Sequence, residues 1–138
     1  MKRNASLALI EQVIMLLILI VAAALCLRAF VWSDQQSLYY TDRDRAMVEL
    51  QSAAEMLKAH DGDFSAAAVS YGGNATQTRW VLDFDENWNI TTPPGVYRIC
   101  ATASTSDVEY LGSATLTVQT IDGDIFAKLT VSWQEVAP

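Results

Sequence analysis

Residues 7–32 read LALIEQVIMLLILIVAAALCLRAFVW, and the fate of this stretch decides how the rest of the chain is read. Its charge-free run, Gln12 to Leu27, is sixteen residues, a little short of the roughly 18 expected of a clean membrane span. Counted from Leu7 to Trp32 as a helix, it is about 39 Å long at 1.5 Å per residue, enough to cross a bilayer. Arg28 sits one turn before the end and can extend its guanidinium towards water. Trp32, Tyr39 and Tyr40 suit the outer interface, and Lys2 and Arg3 ahead of the apolar run place the N-terminus in the cytoplasm.

Three fates are open to such a segment. It is a cleaved secretory signal, with Lys2 and Arg3 as its charged region and 22–24, all alanine, as its small-residue cleavage site. It is a lipoprotein signal ending at Cys26, although Leu25 stands where a small residue is wanted. Or the helix is retained, and Glu11 is then its informative residue. A carboxylate among apolar side chains is costly and marks a functional position by default. The plainer account is that Glu11 lies near the cytoplasmic interface and reaches water.

The run Leu7-Ala8-Leu9-Ile10-Glu11, continued by Gln12-Val13-Ile14-Met15-Leu16-Leu17-Ile18, resembles the N-terminus of type IV pilins and type II secretion pseudopilins. That family has a short basic leader, a prepilin-peptidase site, and an apolar helix with glutamate as the fifth mature residue. The resemblance implies a leader over 1–6, processing between Ser6 and Leu7 with methylation of the new N-terminus, and Glu11 as the fifth mature residue and the assembly residue. Ser6 stands where the family usually has glycine, and a cut after Ala5 would put Glu11 sixth. The likeness covers about residues 1–60. Cleavage would leave a new α-amine at Leu7. A glutamate on a neighbouring helix, offset by about one turn, would pair with that amine and fix the register between subunits.

Beyond Trp32 helical periodicity returns: Met47, Leu50, Ala53, Ala54 and Leu57 recur at spacings of three and four, with charged residues between them. There is no Gly or Pro from Ser33 to His60, and Asp61-Gly62-Asp63 is a clear stop. An unbroken helix from about Leu7 to His60 would be roughly 80 Å long. A break at Ser33-Asp34 is the alternative, since both residues favour an N-cap.

The remainder reads as β. In 79–84 Trp80, Leu82 and Phe84 share one face; a polar loop runs from Asp85 to Gly95; 96–102 follow with Tyr97, Ile99 and Ala101 inward; 108–112 suggest another strand. The strongest local signal is a hairpin of 113–120 with 125–133 across Asp122-Gly123, read as a type I′ turn. Pairing Ile121 with Asp124 sets Leu116 opposite Leu129, Val118 opposite Ala127 and Ala114 opposite Val131. A one-sided antiparallel sheet needs a cover, and the stripe from Met47 to Leu57 supplies it. Residues 64–77 read as a connecting loop with a short strand.

No catalytic constellation is legible. The one histidine, His60, ends the helix, where it complements the dipole. The two acidic turns lack the ligand spacing of a calcium loop, and Asp83, Asp85 and Glu86 read as solvated loop acids. Trp80, Trp88 and Trp133 read as core or rim. Cys26 and Cys100 lie in different environments, so both read as small buried hydrophobes without an intrachain bond. From Asp34 onward six cations face fifteen acids, a balance that argues against nucleic acid or an anionic surface as ligand.

The expected fold is therefore α+β: a long N-terminal helix, membrane-embedded over 7–32 and amphipathic over 33–60, packed on a small antiparallel sheet over 61–138, as in pilins. The expected protein is a non-enzymatic structural subunit of a type IV pilus-like filament or secretion pseudopilus. It would need no cofactor or metal. Its partners would be like subunits or related pilins met through the N-terminal helix, the prepilin peptidase and the membrane, with no nucleic acid. It would sit as a single pass in the cytoplasmic membrane, N-terminus in and C-terminal domain outside, before entering a surface filament or pseudopilus. The alternative is a signal-anchored extracytoplasmic binding or sensor domain that does not polymerise.

Overall fold

The computed structural model describes residues 2–108 and 110–135. Met1, Glu109 and 136–138 lie outside the described residues, so the first position of the leader, one position of the expected strand 108–112 and the end of the β domain are not placed. Helix α1 (Lys2–Ala59) is continuous through Ser33-Asp34, as the absence of Gly and Pro there allows. The hydroxyl of Thr41 bonds back to the Ser37 carbonyl within it. The helix closes at two left-handed residues, Asp61 (φ 51°) and Gly62 (φ 80°), with the Gly62 N–H donating to the Leu57 carbonyl. Gly62 is required here twice over, because a Cβ would collide with the Trp133 indole.

The chain divides into two compact units, one up to Thr41 and one from Asp42. In the first unit every residue from Asn4 to Thr41 is exposed except the half-buried Gln36.

The second unit is a two-layer α+β domain. Strands β1 (Asn74–Ala75), β2 (Arg79–Phe84), β3 (Ile90–Thr91), β4 (Tyr97–Ser104), β5 (Leu111–Thr120) and β6 (Ile125–Gln134) form one antiparallel sheet. Its order is β1-β2-β4-β5-β6, with β3 also on β2. The α1 residues Ala46, Leu50, Ala53 and Leu57 are fully buried in one cluster with Trp80, Leu82, Ile99, Leu116 and Val118 from the sheet. The apolar stripe thus covers the apolar sheet face, because neither layer can bury its own hydrophobic side alone. Two hydroxyls bond to α1 at the rim: Tyr97 Oη of β4 donates to Asp42 Oδ2 at 3.4 Å, and Tyr71 Oη, outside the sheet, donates to Glu49 Oε2 at 3.1 Å. Burial and then the adjacent carboxylate push both phenols above their usual pKa. Leu50→Ala is expected to destabilise this unit by about 2–5 kcal/mol, read as a lower thermal midpoint, since Leu50 is fully buried and its packed neighbours only partly close the void.

The hairpin register is the expected one: Ala114 faces Val131, Leu116 faces Leu129 and Val118 faces Ala127. The turn is not type I′. Asp122 keeps a negative φ, only Gly123 is left-handed (φ 93°), and the Thr120 N–H bonds the Asp124 carbonyl around a three-residue loop. A shift between Val118 and Gln119 then absorbs the extra residue, the arrangement in which a left-handed glycine and a bulge replace the primed turn.

Three further expectations are corrected. Residues 64–71 are not loop but helix α2 (Phe64–Tyr71), capped by the Asp63 carboxylate, which accepts from the Ser65 and Ala66 N–H groups. No separate strand begins at Val108; β5 starts at Leu111 and runs unbroken into the hairpin. Cys26 is exposed, while Cys100 is buried. Among the tryptophans, Trp80 and Trp88 are core, and Trp133 is a partly buried rim residue.

Candidate functional site

The N-terminal helix presents the first site. Ser6, Leu7 and Glu11 all lie on α1, and the spacing of four puts Leu7 and Glu11 on one face, one turn apart. All three are exposed, Leu7 at 64%. The large apolar side chains that follow, up to Trp32, are exposed as well, from Ile14 at 50% to Phe30 at 75%. Soluble monomers rarely expose a contiguous apolar patch of more than a few hundred Å². Here it encircles some seven turns of helix. Lipid or other helices could cover such a surface. Among the described residues, this is the one helix long and apolar enough to cross a membrane.

Glu11 is the one acid in this surface between Leu7 and Trp32. No group of the chain's own described residues is bonded to it. Ser6, Leu7 and Glu11 all lie near one end of the helix.

A second site, not found by sequence reasoning, lies on the sheet face turned away from α1. The alternation that points Trp80, Leu82 and Phe84 inward turns Arg79, Val81 and Asp83 outward. The register then sets Arg98 beside Asp83, Cys100 beside Val81 and Thr102 beside Arg79. Asp83 is no solvated loop acid. It is 3% exposed, its Oδ1 accepts from Arg98 Nη2 at 2.9 Å and Nε at 3.0 Å, and the Gly95 N–H reaches it at 3.4 Å. Grouping it with Asp85 and Glu86 hid that it is the last outward residue of a strand. Asp85 itself folds the loop. Its Oδ1 accepts from the Asn87 and Asn89 N–H groups, and these bonds, Asn89's first, hold the carboxyl below its usual range.

Arg79 and Arg98 line a groove of about 310 Å³ with Ala75, Val81 and Pro93. Arg79 Nη2 reaches Cys100 Sγ at 3.4 Å, which raises the guanidinium's already high pKa. At the β1 border Gly73 (φ 87°) leaves no room for a side chain, since a Cβ would strike the Val81 carbonyl.

The described residues hold no cluster of three or more His, Cys, Asp or Glu able to bind a metal ion. Compared with known protein families, with curated proteins and with solved structures, the chain matches none.

Proposed function

We infer that this chain is a structural subunit of a type IV pilus-like filament or secretion pseudopilus. It is inserted with its N-terminus in the cytoplasm, processed by a prepilin peptidase between Ser6 and Leu7, and assembled with like subunits or related pilins through the first half of α1. It has no catalytic role. One observation carries this reading: an apolar helical surface, exposed on every side and interrupted by the single carboxylate of Glu11, continues as the helix that forms the core of a small β domain. A bare membrane anchor needs the apolar surface but not the carboxylate. A subunit needs both, one to pack and one to set the register.

In-cell cysteine crosslinking of the full chain tests it. With Cys26→Ala as background, the pair Ile10→Cys and Ile14→Cys should oxidise to a ladder of dimers, trimers and higher multiples. These positions are one turn apart on the exposed face. Monomer alone would leave the chain a solitary anchor and refute the reading.

A further inference from the structure

The β domain is strongly acidic, yet its cations are not scattered. Residues 61–138 carry three cations and ten acids. All three cations, Arg79 on β2, Arg98 on β4 and Lys128 on β6, project from the outer sheet face, where Asp83 is the one acid of the described strands. Asp83 is buried under Arg98, so the face is cationic on an otherwise anionic domain.

The opposite chemistry protrudes at the β5–β6 turn. Asp122 and Asp124 are exposed, and neither carboxylate is bonded within the described residues. They are flanked by Ile121 and Ile125, exposed at 66% and 62%. Nothing lies within 4 Å of where a Cβ on Gly123 would be, so the tip stands clear of its own domain. Two isoleucines held in water beside two unpaired carboxylates are a poor arrangement for a tip that meets only solvent.

We propose that this tip docks into the Arg79–Arg98 groove of a second copy of the chain. The groove fits it in kind. Arg98 spends Nε and Nη2 on Asp83 and keeps Nη1 for a second carboxylate. Arg79 is exposed at the other end of the groove, and Val81, Ala75 and Pro93 supply apolar wall for the isoleucines. The occupant is a copy of this chain because the complementary tip is part of it. The groove belongs to the β1–β2 flank of the sheet and the tip to the β5–β6 flank. One contact therefore leaves a free groove on one copy and a free tip on the other. Such a heterologous contact propagates along a row instead of closing a pair. The inference rests on the subunit reading and adds to it a specificity between neighbouring β domains that the apolar helices lack.

The test uses the full chain in its native membrane with Cys26→Ala. Cys100 is buried and stays. Thr76→Cys beside the groove and Ile121→Cys at the tip, treated with a short bismaleimide, should give a ladder of multiples, and each single cysteine none beyond dimer. Asp122→Lys with Asp124→Lys should weaken the ladder about fivefold or more, and Arg79→Asp added to them should restore part of it. Arg98 is left intact because it holds Asp83. A ladder from the Ile10–Ile14 pair with none from 76–121 would overturn this contact while sparing the subunit reading. No ladder from either pair would overturn both. A ladder indifferent to charge reversal, or a crosslink from position 76 to a protein other than this chain, would also overturn the contact.

Discussion

Glu11→Gln is expected to leave the chain in the membrane and to cut its recovery in pelleted assemblies by about a hundredfold. The figure follows from the location of the charge. On the proposed subunit reading, the carboxylate and the α-amine at Leu7 of a neighbour would share a medium that solvates neither once the helices pack. Removing one partner from such a pair costs about 3–5 kcal/mol, and about 3 kcal/mol per contact is already a factor of more than 10². Glutamine keeps the shape and loses the charge, so packing alone does not explain the loss. Glu11 is exposed in the single chain and lies outside the folded β unit, so the thermal midpoint of that unit should not move. Unchanged recovery of assemblies would mean that the carboxylate merely reaches water at the interface.

The second large effect concerns the fold. Arg98→Met should lower the stability of the β unit by about 3 kcal/mol, because the Asp83 carboxylate is then left without a counter-charge at 3% exposure. For a unit of this size that corresponds to a fall of about 10–20 °C in thermal midpoint. Asp83→Val together with Arg98→Met should recover most of the loss. It removes both charges and leaves chiefly the Gly95 N–H unpaired, at about 1 kcal/mol. Arg98 is partly exposed, and water reaching it holds the single-mutant effect to the lower end of the range. A double variant as unstable as Arg98→Met alone would mean that the ion pair is not what Arg98 contributes.

Much of this architecture was legible in the residues because several levels agreed. In 79–84 and 113–133 the alternation, the position of the turn and the inward side chains all demand one register, and a slip of one residue would turn every apolar side chain to water. The long helix was legible from its periodicity and from the absence of Gly and Pro through Ser33-Asp34. What was missed depended on weaker or competing signals. Helix α2 is eight residues, too short for periodicity to speak, although Asp63 ahead of an alanine-rich run was an N-cap signature. Asp122-Gly123 matches the type I′ preference, yet Thr120 closes the loop one residue further on, so the pair takes another turn. The Arg79–Arg98 groove is a product of register. Arg79 and Arg98, nineteen apart, come to line one groove only when β2 pairs with β4, and Asp83, read by its neighbours in sequence, looked like part of an acidic loop. Ser6, Leu7 and Glu11 are the reverse case, since they lie within six positions on a single helix and their grouping needs no tertiary structure.

The central claim is that α1 is a retained, processed assembly helix. The intact mass of the mature protein purified from its native cell tests it most directly. The account predicts a chain that begins at Leu7, with or without a methyl group on the new amine. An intact Met1 would make the helix a plain anchor, and a start near Phe30 would make it a discarded signal; either result would contradict the account.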